Sequence, residues 1–249
     1  MRWLVQLLGN AYFYITTVLI YFCFTVMSPF VWILTVPFDP GRRFFHYFLS
    51  GWSSFFFRIN PIWRMEVEGK EHLPEGAFVM VSNHQSLMDI IVLFMLSHHF
   101  KWVAKRELFR MPIIGWMLSM GGHIGIDRAS RADAVRMIND CLKWLGKGVP
   151  VMIFPEGTRG KIATVDRFKG GAFSIAEKGG VPVVPVTIAG SAEMLPKFRY
   201  PTRRVHVKVV IHEAIAVEEV ERLGAQEVCK RCEELIRDTH KGMRPGLYE

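Results

Sequence analysis

The residues of this sequence best suited to catalysis are a histidine and an aspartate five positions apart, in the run Asn83-His84-Gln85-Ser86-Leu87-Met88-Asp89. The run follows an apolar stretch typical of a strand and precedes one typical of a helix, and functional residues collect where strands end. An aspartate in the first helical turn can reach back to the Nδ1 proton of the histidine and orient its ring. A neutral imidazole held in this way can serve as a general base for an alcohol. Taken alone, the pattern is more often a surface histidine beside a helix-capping aspartate.

A second polar run, Phe154-Pro155-Glu156-Gly157-Thr158-Arg159-Gly160, directly follows the apolar residues 149–153. Its two glycines allow close backbone approach, Arg159 offers a planar fork for phosphate oxygens, and Thr158 adds a hydroxyl donor. A carboxylate is repelled by a phosphate, so we expect Glu156 to fix Arg159 or to accept a substrate hydroxyl. The alternative, on turn chemistry alone, is a β-turn without a ligand.

Strand and helix patterns alternate around these two runs. One clear helix is predicted from Ser130 to Gly146, with a capping serine, Asp133 three residues later and a terminal glycine. The alternation predicts an α/β fold with a mainly parallel mixed sheet flanked by helices, forming one domain over residues 60–249. The strand candidates are residues 65–68, 78–82, 101–104, 122–126, 149–154, 183–188 and 205–211. In the last of these, polar and apolar residues alternate, which predicts a half-exposed strand near a sheet edge.

The bulk composition favours an anionic, apolar partner. The 249 residues are 50% hydrophobic and 13% aromatic, with a formal net charge of +8. Since no stretch resembles a recognition helix, a zinc finger or an aromatic RNA-binding strand pair, we do not expect nucleic acid to be the partner. The four cysteines are too scattered for a disulfide framework, which predicts a reduced body facing the cytosol. Cys229 and Cys232 fit the buried face of a terminal helix better than a metal or redox pair.

The apolar excess lies at the N-terminus, where no charged residue separates Trp3 from Phe38. This length is sufficient for a helix buried in a bilayer. A second apolar stretch, residues 44–57, follows a break rich in proline and glycine and is shorter than the roughly 20 residues of a spanning helix. We therefore predict an N-terminal membrane-binding helical pair in residues 1–59.

Three arrangements of this pair are compatible with the sequence. The first helix could cross once while the second lies at the interface, or both could enter one leaflet without crossing. The latter is favoured because it places Arg2, Arg42, Arg43 and Arg58 among head groups on one side of the membrane. A hairpin buried in a soluble protein would leave little polar surface for water.

These motifs resemble the glycerolipid acyltransferase family, and within it the bacterial 1-acylglycerol-3-phosphate acyltransferases, whose hallmarks are N-H-x-x-x-x-D followed by F-P-E-G-T-R. Both stand here intact and in order. The resemblance covers roughly Asn83 to Val186, with further blocks at residues 105–108, 125–128, 168–171 and 181–186. Gln85 and Pro155 favour the lysophosphatidate enzymes over the glycerol-3-phosphate acyltransferases of the same superfamily, which tend to show H-R-S in the first block.

The resemblance implies transfer of a fatty acyl group from a thioester of acyl carrier protein or coenzyme A to the sn-2 hydroxyl of 1-acylglycerol-3-phosphate, or lysophosphatidic acid. It implies that His84, with Asp89, activates that hydroxyl. It also implies phosphate- and glycerol-binding residues on the neighbouring strand ends and turn: Lys105, Arg128, Glu156, Gly157, Thr158, Arg159 and Lys169. No metal or other cofactor is expected, because a thioester is already activated. The implied location is the cytoplasmic face of the cell inner membrane.

Several points stay open in the sequence. The acceptor could be another lysolipid, and the chain could instead be a thioesterase or a non-catalytic protein that binds anionic membrane lipids. We expect backbone N–H groups of the turn at residues 158–160 to stabilise the tetrahedral oxyanion. The acyl-chain length depends on where a tunnel closes, for which Leu93, Met95, Met117 and Met120 are candidates. Both acidic carriers suit the basic residues Lys101, Arg106, Arg110, Lys197, Arg199, Arg203 and Arg204.

Overall fold

The structure, a computed structural model, describes residues 2–158, 164–196, 200–201 and 203–248. Its centre is a seven-stranded sheet in the order β1-β7-β6-β2-β5-β3-β4. Each strand overlaps one of the seven predicted stretches. The strands are β1 Trp63–Glu68, β2 Val79–Ser82, β3 Lys101–Lys105, β4 Ile124–Ile126, β5 Val151–Ile153, β6 Val183–Ala189 and β7 Val205–Ile211.

The sheet is mainly parallel, which confirms the predicted fold class. Neighbouring strands pair in parallel except β6 and β7, which are antiparallel. The central strands β2, β5 and β6 are buried along their whole length. Their nearly unbroken apolar sequences follow from this position, since a sheet covered on both faces has no solvent side. β7 alternates between buried and more exposed positions, as predicted, and lies one strand in from the edge strand β1.

Helices cover both faces of the sheet. They are α1 Arg2–Thr35, α2 Arg43–Arg58, α3 Met88–Phe94, α4 Ile114–Met120, α5 Arg131–Leu145, α6 Gly171–Gly179 and α7 Val217–Met243. One apolar cluster joins α1, α2 and α3 to one face of the sheet, and a second joins α5, α6 and α7 to the other. The predicted helix at residues 130–146 is α5, whose N-cap Ser130 Oγ accepts a hydrogen bond of 3.2 Å from the Asp133 amide.

The first helix, α1, presents a long apolar surface to the outside of the molecule. By length and composition Gln6–Thr35 could cross a membrane, and only 6% of its most apolar window is buried. Contiguous apolar surface of this size is rare in soluble proteins, so α1 indicates membrane association. The side chains that are at least half exposed include Leu4, Leu8, Ile15, Val18, Leu19, Phe22, Phe30 and Leu34.

The opposite side of α1 contacts the α/β domain over most of its length. Near the start, Asn10 Oδ1 accepts a hydrogen bond of 2.9 Å from the Tyr200 amide, and the Phe13 ring stacks on Tyr200 with centroids 5.5 Å apart. Near the end, the buried Ser28 lies 3.5 Å from the sulfur of Met117. At a rise of ~1.5 Å per residue these contacts are roughly 27 Å apart along the helix, so α1 runs alongside the domain. The division of the chain at residue 60 stays a prediction, although both helices share a core with the domain.

The assignment of Lys101 to carrier binding is wrong, whereas that of Arg106 stays a prediction. Lys101 is fully buried at the start of β3, where its Nζ donates to the carbonyls of Gly41, at 2.7 Å, and Gly121, at 2.8 Å. Burial lowers the pKa of its ammonium to about 7. Arg106 is engaged by Asp133 through two hydrogen bonds of 2.6 and 3.0 Å. Lys101 therefore connects the turn between α1 and α2 to the end of α4. Two other residues assigned to carrier binding, Lys197 and Arg199, lie outside the described residues.

Candidate active site

The predicted contact between His84 and Asp89 is present at the end of β2. Asp89, in the first turn of α3, accepts a hydrogen bond of 2.8 Å from His84 Nδ1 on its Oδ2. The same oxygen accepts from the amides of Gln85 at 2.7 Å and Ser86 at 2.9 Å. Asp89 is fully buried, whereas 15% of the His84 side chain is exposed. Because the proton lies on Nδ1, the lone pair of the ring is on Nε2.

Asn83 fixes the backbone from which His84 projects. Its side-chain amide continues the pairing of β2 with β6 past the last strand residue: Nδ2 donates to the Ile188 carbonyl at 2.8 Å, and Oδ1 accepts from the Ile188 amide at 2.9 Å. Asn83 is buried, so losing either bond would leave a costly unpaired polar group. The asparagine of the motif thus has a structural explanation that the sequence analysis did not supply.

Phe154, directly after β5, supports the histidine ring from one side. The two rings stack with centroids 3.9 Å apart and an interplanar angle of 15°. Phe154 in turn stacks on Trp102 of β3, at 5.6 Å. Together with the Asp89 hydrogen bond, this stack leaves the imidazole one orientation, which is the preorganisation that a general base requires.

Glu156 joins the two motifs. Its Oε1 accepts a hydrogen bond of 3.0 Å from the backbone amide of His84. Burial raises the pKa of this carboxyl to about 8, against the opposing effect of the His84 amide. The carboxyl is therefore protonated near neutral pH and can donate through its hydroxyl. The repulsion from phosphate that was expected of a carboxylate does not apply to the neutral form.

Gly157 and Lys169 meet on the other side of this turn. Gly157 has a φ of 80°, and a Cβ on it would lie 3.0 Å from Lys169 Nζ. The Lys169 amide also donates to the Pro155 carbonyl at 3.0 Å. Glycine is favoured here for its left-handed backbone conformation, since the end of the Lys169 side chain could move aside. Thr158, next in the turn, is exposed.

Lys105 and Arg128 stand apart from this cluster. Lys105 ends β3 and Arg128 follows β4. Both strands have their carboxyl ends at the same sheet edge as His84, but β3 and β4 are two and three strands away from β2. At ~4.8 Å per strand this separates them from His84 by roughly 10 and 14 Å. Lys105 pairs with Glu107 at 3.1 Å, and Arg128 is exposed. Arg159 and Gly160, and with them most of the predicted oxyanion-binding turn, lie outside the described residues.

One contact of the motif was not predicted from the sequence and comes from the far end of the chain. Gln85 Nε2 lies 2.6 Å from Nε2 of His240, a fully buried residue of α7. The sequence contains one signal for it. His240 continues the four-residue spacing of the buried Cys232 and Ile236, so it is a polar residue on an apolar helix face. Cys229 and Cys232 pack in the core beneath α7, as predicted.

The fold and these motifs define a class of protein that sequence comparison identifies independently. A family model described as "Acyltransferase" matches residues 64–189, just over half of the chain. The chain therefore belongs to the acyltransferase family.

Individual relatives within the family are 1-acyl-sn-glycerol-3-phosphate acyltransferases, which confirms the predicted resemblance. The chain is 41% identical over 182 residues to a chloroplastic 1-acyl-sn-glycerol-3-phosphate acyltransferase of Arabidopsis thaliana, covering 72% of this chain and 51% of that protein. It is 30% identical over 242 residues to the 1-acyl-sn-glycerol-3-phosphate acyltransferase of Pseudomonas aeruginosa, covering 93% and 92%. It spans about half the length of the plant and algal relatives it matches, 51, 57 and 52%.

A solved structure supports the same relationship. The crystal structure of PlsC, the 1-acyl-sn-glycerophosphate (LPA) acyltransferase from Thermotoga maritima, matches with a TM-score of 0.80 at 30% identity and covers 98% of both chains. The similarity therefore includes the N-terminal helices as well as the α/β domain.

Proposed function

We propose that this protein is a 1-acylglycerol-3-phosphate O-acyltransferase that converts lysophosphatidic acid to phosphatidic acid in phospholipid biosynthesis. The observation that carries the proposal is the 2.8 Å hydrogen bond from His84 to the buried Asp89, with the Glu156 turn bonded to the same backbone. The relatives named for this activity add support, since two of them match over nearly the whole chain.

In the proposed mechanism His84 acts as general base through Nε2. It takes the proton of the sn-2 hydroxyl while the oxygen attacks the carbonyl carbon of the thioester, forming the new C–O bond. The carbonyl oxygen carries the negative charge of the tetrahedral intermediate. When the intermediate collapses, the C–S bond breaks and the leaving thiolate takes the proton from the imidazolium. Asp89 stabilises the imidazolium between the two steps and keeps the ring oriented.

Phosphate binding is proposed for the turn after β5. Lys169 Nζ, against Gly157, supplies a cation to this turn, and Thr158 supplies a hydroxyl donor. Arg159 is assigned to the same phosphate on the basis of its motif. Lys105 and Arg128 are assigned to a more distant part of the substrate, because they end strands further along the same sheet edge. The thioester of acyl carrier protein or coenzyme A is the co-substrate.

An assay with purified membranes tests this function. Membranes containing the protein are supplied with an acyl thioester of coenzyme A or of acyl carrier protein and with a panel of acceptors: lysophosphatidate, lysophosphatidylglycerol and a lyso-ornithine lipid. We expect phosphatidate from lysophosphatidate, with thiol release dependent on the acceptor. A higher kcat/KM for another lysolipid would reassign the acceptor. Free fatty acid released without any acceptor would indicate a thioesterase, and vesicle binding without product would indicate a lipid-binding protein.

The protonated state of Glu156 predicts an alkaline limit to activity. Below about pH 8 the neutral carboxyl can donate to the substrate, and above it the carboxylate repels the phosphate, so kcat/KM should fall as the pH rises. In Glu156→Gln the side chain stays neutral and can still accept from the His84 amide. We expect this variant to retain activity to within about tenfold at pH 7 and to lose the alkaline limb.

The pH profile of kcat/KM, measured for the wild type and for Glu156→Gln between pH 6 and about pH 10, checks this prediction. Glu156→Ala is the matched variant, which lacks both the donor and the acceptor and should be less active at every pH. An alkaline limb that persists unchanged in Glu156→Gln would assign it to a different group.

We also propose that the protein lies in one leaflet on the cytoplasmic face of the inner membrane. The contacts of α1 with the domain at both Asn10 and Ser28 support this arrangement over a single crossing. In cells of a Cys23→Ala background, cysteines introduced at Trp3 and Phe38 should both resist an impermeant thiol reagent added from the periplasmic side. Labelling of either one would show that α1 crosses the bilayer.

A further inference from the structure

We propose that His240 and Tyr248 form a brace that positions the two motifs of the active site relative to each other. The inference rests on the proposed function, since it assigns these residues to the geometry of acyl transfer. They are positioning residues, because they act through Gln85 and through the segment that follows the Glu156 turn.

The brace is a chain of three hydrogen bonds. Gln85 Nε2 donates to His240 Nε2 at 2.6 Å, and His240 Nδ1 donates to the Tyr248 hydroxyl oxygen at 2.8 Å. The same oxygen accepts from the Val165 amide at 3.2 Å. The chain therefore connects the loop after β2 to the segment that returns from the turn after β5.

Both ends of this chain lie next to groups of the site. The backbone N–H of Gln85 donates to Asp89 Oδ2, the oxygen that also accepts the hydrogen bond from His84 Nδ1. Val165 lies four residues before Lys169, whose amide returns to Pro155 and whose Nζ lies against Gly157. A second bond from α7 holds this segment, because Glu233 Oε2 accepts from the Phe168 amide at 2.7 Å. A shift of His240 would thus move the base and the phosphate-binding turn relative to each other.

The protonation state of His240 fits the pattern of donors. A ring that accepts on Nε2 and donates from Nδ1 is neutral. Burial, and then the positive charge of Arg244, lower the pKa of His240 to about 4, although the charge of Asp89 opposes them. The ring is therefore neutral at the pH of the cell.

Apolar packing alone would not place a histidine here. The position is fully buried on the face of α7 that also carries Cys232 and Ile236, where an aliphatic side chain would avoid the cost of burying two ring nitrogens. Both ring nitrogens instead have hydrogen-bond partners. Nε2 is bonded to Gln85 of the first motif, and Nδ1 is bonded to Tyr248, which contacts the segment after the second motif. A buried polar group with both partners in place fixes geometry more strongly than an apolar group of the same size.

Tyr248→Phe tests the brace with little risk to the fold. It removes the hydroxyl that joins His240 to Val165 and keeps the ring, whose edge-to-face contact with His240 has a centroid distance of 5.7 Å. Since misplacement by ~1 Å can cost ~10²-fold, we expect kcat with lysophosphatidate to fall about tenfold, with the KM for the thioester and the melting temperature unchanged. The matched control is Thr239→Val, which removes a hydroxyl next to His240 outside the chain of bonds.

A double-mutant cycle separates positioning from simple loss of structure. Gln85 and Tyr248 are both bonded to His240, so the effects of Gln85→Ala and Tyr248→Phe on kcat should be strongly non-additive, with the double variant no slower than the slower single variant. Hydrogen exchange of the segment around Val165 should be faster in Tyr248→Phe and unchanged in Thr239→Val.

Two results would overturn the brace. One is a wild-type kcat in Tyr248→Phe, whether or not exchange is faster, since the tyrosine would then be structural only. The other is additive effects in the cycle. A wild-type protein that makes no phosphatidate refutes the proposed function instead, and this is known before any variant is compared.

Discussion

Replacing His84 with alanine should lower kcat for the acylation of lysophosphatidate by about 10³-fold, within the range of ~10² to ~10⁴ typical of a lost general base. The acceptor alcohol then has no positioned group to take its proton, while the Glu156 turn and its cations stay in place. The KM for lysophosphatidate should change little, because the base acts on the transition state. Steady-state kinetics with both thioester donors measures the effect.

The fold should tolerate this substitution. His84 is partly exposed, and the alanine loses only the stack on Phe154 and the bond to Asp89. The matched control is His206→Ala, an exposed histidine on β7 whose side chain is 60% accessible, which should leave kcat unchanged. If His84→Ala remained folded and kept more than about a tenth of the wild-type kcat, another group would have to be the base.

Asp89→Asn should cost about 10²- to 10⁴-fold in kcat, an effect comparable to that of His84→Ala. The amide is isosteric with the carboxylate, but it cannot stabilise the imidazolium that forms during the reaction. Its oxygen can accept from the His84 ring only by turning its NH₂ group towards the buried position of Oδ1. The loss should appear in kcat and in kcat/KM alike.

Stability should respond differently from activity in this variant. Asp89 is fully buried, and its Oδ1 has no hydrogen-bond partner among the described residues. The carboxylate buries a charge, and the asparagine would bury an NH₂ group without a partner at the same place. These two costs offset each other, so Asp89→Asn should change the melting temperature little. Thermal unfolding is compared with that of Asp238→Asn, an exposed position on α7. A large drop in melting temperature together with lost activity would mean that Asp89 is chiefly structural.

The local parts of this fold and site could be predicted from the sequence. The pattern of apolar and polar residues along the chain predicts strands and helices, and each of the seven strands overlaps a stretch predicted from this pattern. The contact of His84 with Asp89 was also predictable, since a strand end followed by the first turn of a helix brings residues five apart together. The reversal of β7 against β6 was not, because strand direction depends on how the connecting residues 190–204 run.

Contacts between distant segments account for most of what was missed. His240 lies 155 residues after Gln85, and no periodic pattern connects the two positions. Lys101 was assigned to the surface because lysine usually is exposed, whereas here two backbone carbonyls and the face of Trp144, 4.6 Å from Nζ, compensate for its burial. The raised pKa of Glu156 likewise depends on burial that only the folded chain creates.

If the protein acts as proposed, the position of α1 determines how it encounters its lipid substrate. This helix runs beside the α/β domain and turns its apolar side chains outward. In the proposed one-leaflet arrangement, the protein and a lysolipid anchored in that leaflet would therefore diffuse in a common plane. The quantity that governs encounter is then the number of acceptor molecules per unit area of bilayer. The thioester carrier would instead diffuse through the cytosol, where its supply depends on its concentration per unit volume. Diluting the lipid within the bilayer would therefore slow the supply of the acceptor without changing that of the thioester.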